Sequence, residues 1–108
     1  MMDRFLNMLG LCSRAGKCLF GETACMSGIR TGKVFLVLID QEASANTRKR
    51  YVDACEYRKV PYLLVREAAF AAAGKQGRRA IAIADENFAR ILIQLQASTF
   101  EMKTGVEE

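Results

Sequence analysis

Seven residues, KVFLVLI at positions 33–39, decide the fold of this chain, and the basic stretch ASANTRKR follows at positions 43–50. Val34 to Ile39 are all apolar and lack the alternation with polar side chains that marks a strand with one solvated face. Such a strand requires helices on both faces of its sheet. The stretch at 43–50 predicts a cationic helix, so the positive charge must lie in the outer layer, where a polyanion can reach it.

The rest of the chain alternates amphipathic segments with short apolar ones. The patterns predict helices over residues 3–15, 21–32, 44–58, 66–73 and 85–97, and strands over residues 17–20, 34–39, 62–65 and 80–84. Ser44 and Asn46 are both candidate caps for the third helix, and Asp85 caps the last one. This order predicts an α/β fold, a three-layer α/β/α sandwich around a small mixed sheet of about four strands.

The length of 108 residues fits one domain, which we assign to residues 1–97, followed by a polar, flexible tail at 98–108. A content of 51% apolar and 26% charged residues is typical of a globular chain. No apolar run approaches the roughly 20 residues that a membrane span needs. Because Asp3 and Arg4 interrupt the N-terminus, no targeting segment is recognised, and we expect a cytoplasmic monomer.

Positive charge is concentrated in the first three quarters of the chain. Up to Arg79 there are fourteen basic and seven acidic residues, a net charge of +7, whereas from Ala80 onward there are two and five, a net charge of −3. A solvated surface explains such an excess without any ligand, and a nucleic-acid footprint explains it equally well.

The chain offers little for catalysis or metal binding. It has no histidine, so a Ser-His or Cys-His nucleophile cannot be assembled. Its cysteines, at positions 12, 18, 25 and 55, do not match a Cys-x-x-Cys zinc spacing, and we interpret them as reduced, buried residues rather than as a metal or redox site. The acidic residues fall in loops and at helix starts. We therefore expect no enzyme activity, no cofactor and no metal.

Several basic residues precede predicted elements, at positions that could share one edge of the sandwich. These are Arg14 and Lys17 before the second helix, Lys33 before the central strand, and Lys75, Arg78 and Arg79 before the last strand. The second helix opens at Gly21 and Glu22, where free backbone N–H groups point outward. Together these groups could form a rim that contacts phosphates.

The same segments resemble a known family. The residues that carry the resemblance are SRAGK (13–17), the helix start Gly21-Glu22, IRTGK (29–33), the strand LVLI (36–39), ASANT (43–47), Cys55 and Val60-Pro61. In this order and spacing they are similar to the kink-turn-binding ribosomal superfamily of large-subunit protein seven-Ae, particularly to its small bacterial paralogues. The resemblance implies an α/β/α sandwich that binds structured RNA, in ribosomal or related particles, without catalysis.

The resemblance also implies where RNA is read. In such relatives the N-terminus of the second helix enters the groove of the bent RNA, through a pattern of glycine, one residue, asparagine, glutamate, two residues and lysine. Here Gly21 matches, whereas Thr23, Ala24 and Ser27 occupy the asparagine, glutamate and lysine places. Glu22 is a substitute carboxylate. The loop before the last strand, often apolar in relatives, is cationic here. These departures favour RNA affinity through phosphates over kink-turn specificity.

The sequence thus favours a non-catalytic protein that binds structured RNA, either a kink-turn or an internally looped RNA, with ribosomal RNA as one candidate. The RNA-contacting residues would be Arg14, Lys17, Gly21, Glu22, Thr23, Ser27, Lys33, Lys75, Arg78 and Arg79. The alternative is a protein-interaction module on the same fold, for which Phe100 and Met102 are the candidate contacts. A small enzyme is the third and weakest hypothesis.

Overall fold

The computed structural model describes residues 4–74 and 78–99, with side chains described as far as residue 96. Five helices and four strands alternate along these ranges. They are α1 (Arg4–Arg14), β1 (Cys18–Phe20), α2 (Glu22–Arg30), β2 (Leu36–Asp40), α3 (Ala45–Arg58), β3 (Tyr62–Val65), α4 (Glu67–Ala72), β4 (Ala80–Ile83) and α5 (Glu86–Thr99).

The four strands form one mixed sheet in the order β1-β4-β2-β3. β4 runs antiparallel to both β1 and β2, with Phe20 opposite Ile81, and β2 runs parallel to β3. Strands β1, β2 and β3 therefore end where β4 begins. We call this the upper end of the sheet, and the opposite side the lower end. Because α2 and α3 each follow a strand that ends at the top, both helices start at the upper end.

Helices cover both faces of the sheet. On one face, α2 and α3 pack on alternate strand residues such as Val37 and Ile39. On the other face, α1, α4 and α5 pack on the intervening residues, such as Leu36 and Leu38. All five residues of β2 are buried. The three-layer α/β/α sandwich with a four-stranded mixed sheet, predicted from the unbroken apolar strand, is therefore confirmed.

The central strand differs from its predicted bounds, since it was expected at 34–39 and is found at Leu36–Asp40. Val34 is buried beneath α2 before the strand begins, and Phe35, whose backbone N–H donates to Ile83 O at 2.9 Å, lies at the bend that leads into the strand. At the other end, the strand includes Asp40, because its carboxylate finds polar partners while buried. Close packing of α2 also depends on Gly28, where a Cβ atom would lie 2.7 Å from Val34 Cγ2.

Within residues 4–74 and 78–99, no helix has the length and apolar character needed to cross a bilayer. The first two residues of the predicted tail, Ser98 and Thr99, belong to α5, whereas the rest of it, with Phe100 and Met102, lies outside the described residues, and so does Lys75. The division into a domain over residues 1–97 and a tail stays a prediction.

Candidate nucleic-acid interface

The first turn of α2 is open at the upper end of the sheet. Its N-cap residue, Gly21, has φ 91° and ψ 146°, a conformation that favours glycine, and no side chain caps the helix. Gly21 O accepts the first helical hydrogen bond, from Cys25 N at 3.0 Å. The backbone N–H groups that precede Cys25 have no acceptor within the helix, so they and the helix dipole favour an anion at this point.

A depression of about 220 Å³ lies beside this open turn. It is lined by residues from three elements: Gly21, Glu22, Thr47, Tyr51, Arg78, Arg79 and Ala80. Arg78 and Arg79 reach it from the residues before β4, and both are exposed. Within the described part of the chain, no carboxylate pairs with Arg78. The depression thus combines backbone donors with a guanidinium that is free to contact a phosphate.

Arg79 is fixed by a buried acid. Its Nη1 lies 3.1 Å from Asp40 Oδ2, and its own carbonyl accepts a hydrogen bond from Asp40 N at 2.9 Å. The Asp40 side chain is only 3% exposed, whereas that of Arg79 is 57% exposed. The other carboxylate oxygen accepts from Glu42 N at 2.8 Å. Asp40 therefore orients Arg79 across the ends of β2 and β4 while leaving much of the guanidinium accessible.

Glu22 is not a free carboxylate. Its Oε2 accepts a hydrogen bond from Arg50 Nε at 2.8 Å, which ties the first turn of α2 to α3. This ion pair therefore argues against the expected role of Glu22 as a substitute carboxylate that contacts RNA. Thr23 and Ser27 lie one helical turn apart on the same face of α2, where Thr23 is exposed and Ser27 half-buried. They offer hydroxyl groups in place of the family's amide and ammonium.

The structure brings together only part of the predicted set. Gly21, Glu22, Thr23, Arg78 and Arg79 share the upper end, with Ser27 one turn further along α2.

Arg14, Lys17 and Lys33 lie elsewhere, which corrects the expectation that all the cations share one edge. Lys17 precedes β1, and its carbonyl accepts from Ala84 N at 2.8 Å, just after β4 ends. Lys33 precedes the start of β2. Both positions are at the lower end, as is Arg14 at the end of α1, because strand direction sends the starts of β1 and β2 away from Gly21. Whether any of these residues contacts RNA stays a prediction.

The sequence reasoning missed the contribution of α3. Thr47 and Tyr51 line the depression, and Arg50 holds Glu22. The sequence did indicate that α3 contributes contacts. Arg48, Lys49 and Arg50 lie in the first turns of this helix, where the helix dipole disfavours cations that lack partners. Arg48 Nη1 in fact donates to Ala43 O at 2.7 Å, and Lys49 Nζ lies 2.7 Å from Asp53 Oδ2.

The thiols are packed as core residues. Cys12, Cys25 and Cys55 are buried, Cys18 is half-buried, and all four carry free thiols. Burial raises the pKa of Cys25 to about 11 and that of Cys55 to about 12. The Cys18 thiol donates to Cys12 Sγ at 3.5 Å, which raises the pKa of Cys18 and lowers that of Cys12. Among the described residues, no three potential ligands from His, Cys, Asp and Glu cluster as a metal site would require.

Comparison with known proteins identifies relatives along most of the chain. It is 41% identical over 90 residues to RNA-binding protein YlxQ of Bacillus subtilis (strain 168), covering 82% of this chain and 90% of the relative. It is 35% identical over 89 residues to RNA-binding protein YlxQ of Enterococcus faecium, covering 82% of this chain and 86% of that relative. No family model matches the sequence.

Two solved structures share the fold. A protein with unknown function from Bacillus halodurans C superposes with a TM-score of 0.82 and 32% identity, over 87% of this chain and 97% of that one. The 15.5kD RNA binding protein of Giardia lamblia gives a TM-score of 0.70 and 17% identity, over 91% and 92%, a likeness that supports the fold alone. By its identity to these two relatives over most of its length, the chain belongs to the YlxQ family.

Proposed function

We propose that this protein binds structured RNA without catalysing a reaction, and that it does so at the upper end of its sheet. The main support for this proposal is that the open first turn of α2 lines the same depression as Arg78 and Arg79. Two relatives named RNA-binding protein support the same ligand class. The monomeric, cytoplasmic state without metal or cofactor that the sequence predicts stays part of this proposal.

Phosphate contacts dominate the proposed interface. Backbone N–H groups at a helix start and guanidinium groups both bind phosphate oxygens without reading sequence. Glu22 and Asp40 are each engaged by an arginine, so neither presents an unscreened negative charge to the RNA. With about three phosphates contacted, the logarithm of the binding constant should fall by about two to three units per tenfold increase in salt.

The RNA in this proposal is bent or internally looped, with kink-turns and ribosomal RNA as the first candidates. Its shape would be recognised through backbone contacts, because Thr23, Ala24 and Ser27 do not provide the amide, carboxylate and ammonium of the family pattern. Replacing all three, Thr23→Asn, Ala24→Glu and Ser27→Lys, should raise affinity for a kink-turn. Unchanged affinity would mean that the first turns of α2 are not the reading element.

Filter binding tests the proposal directly. The protein is titrated against a kink-turn RNA and an unbent duplex of equal length, each at two salt concentrations. We expect tighter binding to the kink-turn and a steep loss of affinity with salt for both. Binding to neither RNA would end the proposal, and equal binding would end only the preference for a bent shape.

A pair of charge reversals locates the site. Arg78→Glu should weaken binding to the kink-turn at least tenfold and reduce the salt dependence, because it replaces a phosphate contact by a repulsive charge. Arg90→Glu is the matched control, since it changes net charge equally on an exposed residue of α5, on the other face of the sheet. If both variants weaken binding alike, the contact is a general electrostatic one and the upper end is not the site.

A further inference from the structure

A second surface, at the lower end of the α2–α3 layer, carries an exposed aromatic side chain that the fold does not use. Tyr57, in the last turn of α3, is 81% exposed, whereas Tyr51 on the same helix is 2% exposed. The Arg58 guanidinium carbon lies 5.6 Å from the centre of the Tyr57 ring. The cation covers one face of the ring, and the high exposure of the side chain leaves the other face open to a ligand.

The ring stands beside a groove with an apolar floor. The groove has a volume of about 360 Å³ and is lined by Met26, Ile29, Arg30, Asp53, Ala54, Tyr57 and Arg58. Its apolar members, Met26, Ile29 and Ala54, come from facing sides of α2 and α3. A flat apolar ligand can therefore lie against Tyr57 and over the floor of the groove, with the polar groups at its margin.

The charge around this groove is positive. Arg30 and Arg58 end the two helices, and both are exposed. The nearest acid, Asp53, is already paired with Lys49 Nζ at 2.7 Å. Cations at helix C-termini also offset the negative end of the helix dipole, which accounts for the two arginines without a ligand. That explanation does not account for Tyr57, which contributes no dipole effect and buries little surface.

We propose that this Tyr57 groove binds an unpaired nucleotide of RNA, with the base stacked on Tyr57 over the apolar floor and its phosphates held by Arg30 and Arg58. Aromatic side chains next to guanidinium groups are the usual platform for unstacked bases. A protein partner would also use tyrosine and arginine, but the unpaired positive charge favours a polyanion. The inference concerns a site separate from the upper end and does not depend on it.

The two surfaces are positioned to hold one RNA. α2 has nine residues and so spans about 13 Å between them. A looped RNA anchored at Gly21 can therefore extend an unpaired base along the α2–α3 layer to Tyr57.

The test uses a single-stranded eight-nucleotide RNA with 2-aminopurine at its centre, whose fluorescence falls when the base stacks. Wild-type protein should quench the probe saturably. Tyr57→Ala should weaken binding about five- to a hundredfold, as expected for loss of one stacked base, whereas Tyr57→Phe should retain both affinity and quenching. Circular dichroism and thermal unfolding check that the exposed substitution leaves the fold intact.

Two arginine variants separate this site from the upper end. Arg30→Ala should weaken binding of the probe and lower its salt dependence, while Arg90→Ala, an exposed residue of α5 on the other face of the sheet, should not. Arg78→Glu should leave the quenching unchanged even though it weakens kink-turn binding. The inference is overturned if the probe shows no saturable quenching, if Tyr57→Ala behaves as wild type, as it would if the groove took a protein, or if Arg78→Glu abolishes the quenching.

Discussion

Asp40 shows how one buried charge organises the upper end of the sheet. A carboxylate that is 3% exposed is stable only if its oxygens are occupied. Here one oxygen accepts the Glu42 N–H and the other faces Arg79. The acid thus serves the fold, and as a consequence it holds a half-exposed guanidinium at the margin of the candidate interface.

A double-mutant cycle measures this coupling. Arg79→Ala should lower the free energy of unfolding by about 1–3 kcal/mol, because it leaves the Asp40 carboxylate buried without its countercharge; the exposure of Arg79 keeps the loss below that of a fully buried pair. In an Asp40→Asn background the same substitution should cost less than about 0.5 kcal/mol. Urea denaturation measures all four proteins. An equal loss in both backgrounds would show that Arg79 stabilises the fold by some other contact.

The buried thiols predict a loss of stability at alkaline pH. Burial raises the pKa of Cys55 to about 12 from an ordinary value of 9.0, and that of Cys25 to about 11. Between pH 9.0 and these raised pKa values, the thiols are ionised in the unfolded chain but protonated in the folded protein. The free energy of unfolding should therefore fall as pH rises above about 9, by roughly 1 kcal/mol per pH unit for each thiol.

Urea denaturation between pH 8 and 10.5, with a reducing agent present, checks this expectation. Cys55→Ala removes one of the thiols whose pKa is raised, so its stability should decline less steeply with pH than that of the wild type, even though the variant starts lower. Parallel curves for the two proteins would contradict the assignment of the decline to Cys55.

At the scale of elements, α2 and α3 start at the same end of the sheet but begin differently. Ser44 caps α3, with its Oγ accepting from Thr47 N at 3.1 Å. α2 has glycine in the equivalent place and no side-chain cap. The Thr47 N–H at the start of α3 thereby has an acceptor within the protein. The first backbone N–H groups of α2 remain available as donors to a ligand. The uncapped helix is the one that the proposed function uses.

Substitutions at the two candidate caps distinguish them. Ser44→Ala should lower the free energy of unfolding by about 1 kcal/mol, because Thr47 N–H loses its acceptor. Asn46→Ala is the matched control, since it lies two residues away, is exposed and should change stability by less than about 0.5 kcal/mol. Thermal or urea unfolding measures both. A larger loss from Asn46→Ala would show that the helix is capped in solution by the other residue.

At the scale of the whole molecule, burial divides the sheet into a protected centre and a weaker margin. β2 pairs with β4 and β3, and all its residues are buried, whereas β1 pairs with β4 alone and its three residues are half-buried. Opening β2 requires both layers of helices to separate, but β1 can detach with less loss of apolar contact.

Native-state hydrogen exchange should resolve this division. The amides of Val37 to Ile39 should exchange only through global unfolding, with an opening free energy equal to that from urea denaturation. The hydrogen-bonded amides of β1 should exchange through smaller openings and depend weakly on denaturant. Equal protection of β1 and β2 would mean that the sheet opens as one unit.

By itself, the sequence determined the elements and the layers. An unbroken apolar strand, helical spacing around it and local stop signals such as Gly16 and Val60-Pro61 act over a few residues, so their consequences are readable in order along the chain. The family resemblance and the arginines before β4 could be recognised in the sequence for the same reason. Such signals place residues within elements, but they do not set the direction of one strand against another.

Only the tertiary structure decided which charges meet. The antiparallel pairing of β4 carries Arg78 and Arg79 to Gly21 and leaves Lys17 and Lys33 at the lower end. The pairing of β2 with β4 also joins Arg79 to Asp40, and the packing of α2 beside α3 joins Arg50 to Glu22. Tyr57, on α3, is left uncovered. Adjacency across a sheet depends on strand order and direction, which arise from the packing of the whole chain, and no local pattern of residues encodes them.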